Sequence, residues 1–426
     1  MKDNIYWLWL SLSVTPGKET FRKLIERFET AEAIFAADEF DIKRCVGEKS
    51  KDLPALLDKN LKRAEDIYSF CEKKNVGILK YSDSEFPNSL REINTPPVLL
   101  YYRGVLPDFN SECLVAMVGT RRLTDYGRKN AFIIGHDLAT AGAVIVSGMA
   151  IGIDGVSHAG SISAGGVNVA FLGSGIDVCY PEQHKRLARE IVKNGCVMTE
   201  YAPGTRPARY NFPTRNRLIA GISSSTVVIE GRERSGAIIT ARYAKKFGKT
   251  VYALPGNVDN KNSEVTNLLI KNGAKLITTP DDIISDLEFV YTGKINPFKL
   301  KEKLDVRMSD VFLELEVSCV AQGDNIFSSY SHKKRAKNEN TENQESDNSS
   351  EKNIPNETVI PEISIENMNF DKDTVELYKS IPQGEACSIE SLTDLGYKMP
   401  FVMKALLKLE MGRFVTMLPG EKVKRN

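Results

Sequence analysis

Between about residue 96 and residue 290, short β-rich runs alternate with stretches of helical spacing. No other feature of the chain restricts its fold as strongly. The runs are LVAMVGT, AVIVSG, VNVAFLG, CVMTEY, TVVIEG, TVYALPG and AKLITT, separated by segments such as YGRKNAFIIGHDLATAG, YPEQHKRLAREIVKNG and SGAIITARYAKKFG. Continuous apolar strands alternating with helices predict βαβ units and a parallel sheet covered on both faces, an α/β core of Rossmann-like form. Several runs end in glycine or a polar cluster, which is where open α/β sheets bind ligands.

The 426 residues exceed one ordinary domain. Residues 1–95 read as a helical domain of the small SAM or helix-hairpin-helix kind. TPGKETFRKLIERF places Phe21, Leu24, Ile25 and Phe28 on one face of a helix. The opening MKDNIYWLWLSLSVTPG is too short to span a bilayer and lacks a clear cleavage site. It reads as an amphipathic helix, and the protein as cytoplasmic with no membrane insertion. Residues 96–290 form the core, and 291–370 an extension and disordered linker, polar from about 318 and too poor in apolar residues to offset its ordering entropy. Residues 371–426 regain a pattern of three short helices and a hairpin, with Val402, Leu406 and Leu409 inward and Lys404 and Lys408 outward. This predicts a winged-helix-like domain.

Fifty-seven Lys and Arg against 56 Asp and Glu give no global basic signal, so any nucleic-acid binding must use a local patch. The seven cysteines are scattered and never spaced as CxxC, which argues against a disulfide framework or zinc site. No Ser-His-Asp set, HExxH or metal cluster can be assembled. His158, in GIDGVSHAG and four residues after Asp154 on one helix face, is the one histidine with a placed motif; of the two readings, acid–base machinery and a structural Asp–His contact capping a helix, the second is the expectation.

Three glycine-rich turns, VGTRR (118–122), SGMAIGIDG (147–155) and GSGID (173–177), each follow an expected strand. Such turns let backbone N–H groups approach an anion, so Gly119, Thr120, Gly148, Gly173, Ser174 and Gly175 are candidates for a phosphate-binding groove. None completes a P-loop or GxGxxG. Cations lie close by in sequence: Arg121 and Arg122, Lys185 and Arg186, then Arg209, Arg215 and Arg217 with Asn216, around the aromatic Phe212. Cations that track a backbone, with an aromatic for stacking, suit sequence-tolerant single-strand binding. The competing reading is that the arginines brace loops against Glu200 and Glu230.

Together VGTRRLTDYG, SGMAIGIDGVSHAGSISAGG, GSGIDVCYPEQHKRLAREI, FPTRNRLIAGIS, RSGAIITARYA and VYALPGN, in that order, resemble the DNA-processing protein A family (DprA/Smf). The resemblance implies a non-enzymatic core that binds single-stranded DNA without sequence preference and without nucleotide or metal cofactors. It also implies delivery to a RecA-type recombinase in natural transformation, contact with single-strand binding protein, and a homodimer. By position it assigns Arg121, Arg209 and the pocket aromatic Phe212, and it adds Ser235 to the binding set. Three departures stand out: Ile151 where the family usually has a basic residue, Thr120 for serine, and Val265 for a glycine, where a turn needing positive φ would be strained. Two other classes stay open. One is a nucleotide-processing Rossmann-like enzyme that hydrolyses N-glycosidic bonds, although LPGNVDN lacks that class's PGGxGT loop. The other is an adaptor with a vestigial groove.

Overall fold

A computed structural model of the chain describes residues 2–233, 235–301, 308–317, 372–382 and 386–393, with shorter runs from 397 to 425. It divides into two units, residues 1–336 and 337–426.

The front of the first unit packs six helices: α1 (Lys2–Ser13), α2 (Thr20–Phe28), α3 (Ala31–Ala36), α4 (Glu39–Val46), α5 (Leu53–Leu57) and α6 (Lys62–Lys74). Phe21, Leu24 and Ile25 are buried as their spacing predicts. Helix α1 is not the amphipathic helix expected. Ile5, Trp7, Leu8, Trp9 and Leu10 are all buried, so apolar side chains meet protein on several sides of it. The front is also not purely helical, because β1 (Gly77–Lys80) follows α6. It pairs antiparallel with β2 (Leu99–Gly104), past the short α7 (Asn88–Glu92), and β2 pairs antiparallel with the core sheet.

All seven apolar runs form strands: β3 (Leu114–Val118), β4 (Val144–Ser147), β5 (Asn168–Phe171), β6 (Cys196–Thr199), β7 (Ser225–Val228), β8 (Thr250–Ala253) and β9 (Lys275–Leu276). The sheet order is β1-β2-β6-β5-β4-β3-β7-β8-β9, parallel from β6 to β9. Every residue of β3 to β7 is buried, as strands covered on both faces require. Helices α8 (Asp125–Ala141), α9 (Ile153–Ser163) and α10 (Lys185–Asn194) share one apolar core with the front helices. Helices α11 (Asn211–Ile222), α12 (Gly236–Lys246) and α13 (Glu264–Lys271) cover the other face with α7. Sequence drives these assignments locally. Thr124 caps α8 by accepting from Gly127 N, and Gly142 ends it at φ 108°. Leu187 and Ile191 give α10 one buried stripe under an otherwise charged surface.

Strand order therefore runs outward from β3 in both directions. The chain climbs β3-β4-β5-β6 on one side, then returns through α11 to lay β7 against β3 on the other. The loops leaving β3 and β7 diverge to opposite faces, which opens a crevice at their carboxyl ends. Beyond α14 (Asp281–Val290), the start of the expected extension packs on the core. Helix α15 (Met308–Leu315) sets Phe312 edge-on to Phe132 at 5.6 Å, and Leu315 and Val317 are buried.

The second unit contains α16 (Lys372–Ser380), β10 (Ala386–Ser388), α17 (Ile389–Thr393), β11 (Val415–Leu418) and β12 (Lys422–Arg425), with β12 central in an antiparallel sheet. Val402, Leu406 and Leu409 join Leu377, Ile389 and Val423 in its core, inward as expected. Lys404, Lys408 and the polar segment from 318 to 370 lie outside the described residues.

Candidate nucleic-acid interface

At the switch point between β3 and β7 lies a cleft of about 600 Å³. The segment after β3 supplies Gly119, Thr120, Arg121 and Arg122; α11 and the loop before it supply Arg209, Phe212, Arg215 and Asn216; the loop into α12 supplies Arg232 and Ser235.

Phe212, in the first turn of α11, is its aromatic wall. The Arg121 guanidinium sits 5.2 Å from the ring centroid, and Tyr180 packs against the ring at 5.5 Å. Gly173 makes room for that ring, since a Cβ there would come within 2.8 Å of it. Ile151, where the family resemblance led one to expect a cation, lines a small recess with Arg121, Gly173 and Tyr180, so it adds apolar surface there and no second charge.

The floor is charged but internally satisfied. Arg215 is 4% exposed and donates to the carbonyls of Gly148 (2.9 Å) and Phe171 and to Asn216 Oδ1 (3.1 Å). Burial lowers its pKa to about 10, against the opposing pull of Asp154. The Asp154 carboxylate accepts from Gly148 N at 3.1 Å; burial raises its pKa while Arg215 and Arg121 oppose the shift. Gly152, at φ 90°, lets this loop lie on the first one: a Cβ would meet Thr120 O at 2.4 Å. Arg215 and Asp154 thus fix the shape of the cleft, and the cations at its rim are Arg121, Arg122, Arg209 and Arg232.

Several sequence expectations are corrected. Arg217 does not reach the cleft; it is 1% exposed and paired with buried Glu200. Bracing therefore holds for Arg217 but not through Glu230, whose carboxylate accepts from Thr124 N (3.0 Å) and Thr124 Oγ1. Lys185 and Arg186 lie on α10, engaged by Glu182 at 2.7 Å and Glu316 at 3.4 Å, and line no part of the cleft. Ser174 turns its hydroxyl to Val178 O (2.9 Å), and Gly175 packs against the Ala202 carbonyl, so both shape a turn. No Asp154–His158 contact forms. His158 Nδ1 pairs with Asn168 Oδ1 at 2.9 Å, Nε2 has no partner, and burial depresses the ring pKa to about 4. Val265 lies in the first turn of α13, buried beside Gly231 and without the positive φ expected of that position.

Sequence reading missed Arg232, Asp154 as a floor residue and Tyr180. Arg232 carried a signal all the same, since it follows the strand that pairs with β3 at the switch point. Among the described residues no group of three His, Cys, Asp or Glu side chains is placed to hold a metal, and no helix is long and apolar enough to cross a membrane.

Comparison with known proteins agrees with this architecture. The family model described as DNA recombination-mediator protein A matches residues 77–288. The protein Smf of Synechocystis sp. is 34% identical over 289 residues, 67% of this chain and 73% of that protein. The DNA processing protein DprA of Streptococcus pneumoniae is 36% identical over 236 residues, 55% of this chain and 83% of its own. An X-ray structure of DNA processing protein A from the same organism superposes with a TM-score of 0.58 at 32% identity, covering 67% of this chain and 98% of that one. The chain belongs to the DNA recombination-mediator protein A family, the DprA/Smf proteins.

Proposed function

We propose that the cleft binds single-stranded DNA without sequence preference. The observation that carries the reading is the Arg121–Phe212 stack at the sheet's switch point. It couples a face on which any base can stack to a cation that can meet the adjoining phosphate. Arg122 and Arg209 extend the cationic rim. Thr120 and Ser235 line the same cleft, and Thr120 holds the loop after β3 in shape by giving its N–H to Glu230 O and pairing its hydroxyl with the Arg122 backbone. Arg215 and Asn216 act by shaping the floor, Gly148 and Gly173 by leaving room for Arg215 and Phe212.

Nothing in the cleft reads base edges through a recognition helix, which favours single strands over duplex. Family membership supports the further proposal that the protein works as a homodimer, handing the strand to a RecA-type recombinase on DNA coated with single-strand binding protein. It equally supports a winged-helix-like tail. The direct test is a binding titration with single- and double-stranded DNA of equal length and several sequences. Preference for the single strand, uniform across sequences, is expected; equal affinity for duplex would overturn the reading. For the recombinase step, a strand-exchange assay is expected to show stimulation, and none at any ratio would reject that step.

A further inference from the structure

We infer that Arg232 is a phosphate-binding residue of the cleft and that Asn262 is the positioning residue that aims it; this rests on the single-strand reading above. Arg232 stands in the loop between β7 and α12, exposed at the surface and lining the cleft. Its Nε donates to Asn262 Oδ1 at 2.8 Å, and no carboxylate among the described residues pairs with it. Arg217 is the contrasting case, an arginine already taken by a buried carboxylate. With Nε held, the two Nη groups of Arg232 remain as paired donors, the geometry that suits a phosphodiester.

Asn262 is 3% exposed, in the short turn before α13, and each of its polar groups is used. Its Nδ2 donates to Arg122 O (2.7 Å), its carbonyl accepts from Gly231 N (2.6 Å), and its own N–H donates to Asn260 Oδ1 (2.9 Å). One buried amide therefore ties the wall after β3 to the wall after β7. The loop is pinned again by Val265 N donating to Gly231 O at 2.9 Å and Glu233 N donating to Glu264 at 3.2 Å. A guanidinium fixed at Nε surrenders less side-chain freedom on binding than one waving in solvent.

The test is a salt titration of oligo-dT affinity for the full chain as wild type, Arg232→Ala, Arg232→Lys, Asn262→Ser and the Arg232→Ala/Asn262→Ser double variant, with a thermal melt of each. Arg232→Ala should shrink the slope of log K against log salt by about 0.7. Over a fourfold rise in salt the wild type then loses about 2.6-fold more affinity than the variant. Arg232→Lys should keep the slope while binding more weakly. Asn262→Ser should weaken binding less in the Arg232→Ala background than in the wild type, because the two share one bond and only the tie to Arg122 O is left to lose. An unchanged slope in Arg232→Ala, with wild-type binding intact, overturns this inference and leaves the cleft reading standing. Additive losses in the double variant overturn the role of Asn262, and a wild type that does not bind single strands overturns both.

Discussion

Arg217 separates a structural arginine from a binding one. It is 1% exposed, its partner Glu200 is 8% exposed, and beyond their shared bond Arg217 Nε and Nη1 and Glu200 Oε1 lack protein partners. Such a pair stabilises little by its presence, yet removing one member strands a buried charge and costs about 3–5 kcal/mol. Arg217→Met isolates that term, because the thioether stem replaces most of the buried methylenes and avoids a cavity. Urea unfolding should show the loss at neutral pH, and Glu200→Gln in the same chain should recover most of it. The sign with pH follows from Glu200, whose pKa burial raises despite Arg217. A carboxylate with a raised folded pKa contributes stability below its unfolded value, near 4.3, and loses it as pH rises through the folded value. Without Arg217 that rise grows, so the variant's deficit should be smaller at pH 5 than at pH 8. Its oligo-dT salt slope should match wild type. An Arg217→Met protein of wild-type stability with a slope reduced by about 0.7 would refute the reasoning and return Arg217 to the cleft.

Phe212→Ala should cost about 1–3 kcal/mol of single-strand affinity through lost stacking with little change in salt slope, whereas Arg121→Ala should lower the slope by about 0.7; parallel titrations distinguish them. His158 is buried and held neutral with a pKa of about 4, so its contribution to stability is present above pH 6.5 and lost as pH falls toward 4. His158→Gln should flatten the acid limb of a denaturation series by up to about 3 kcal/mol; an unchanged limb would remove His158 from the account. Truncation after Val317, which keeps Leu315 and Val317 in the core, should leave single-strand affinity nearly intact, and a hundredfold loss would place the tail in the site.

The parallel strands were legible because both their faces are covered, so β3 to β7 appear as unbroken apolar runs. Strand β1 was not, since GILK buries only Leu79 and carries no such run. The cleft's glycine turns, Arg121 and Phe212 could be read from local sequence. Partner choice could not: Glu200 lies 17 residues before Arg217, in the loop just after β6. Helix geometry offered a clue nonetheless. Residues 215 and 217 are two apart on α11 and so point to different sides, and both could not face one pocket. Arg232 stood in a loop without neighbouring aromatics, and its role emerges only once Asn262 folds back against it.

Helix α11 carries a mechanical consequence. Its first turns hold Phe212 and Arg215 in the cleft, while Arg217 reaches the other way, close to Gly17 between α1 and α2. A Cβ on Gly17 would come within 2.7 Å of Thr214 on the same helix. The amino-terminal helices are therefore clamped to the element that floors the cleft. A fragment beginning at residue 77, where the family match starts, would expose the Arg217–Glu200 pair to water and release α11 on one side. Strain introduced at residues 15–18 should register as altered DNA affinity at a distance, with no DNA-contacting residue changed.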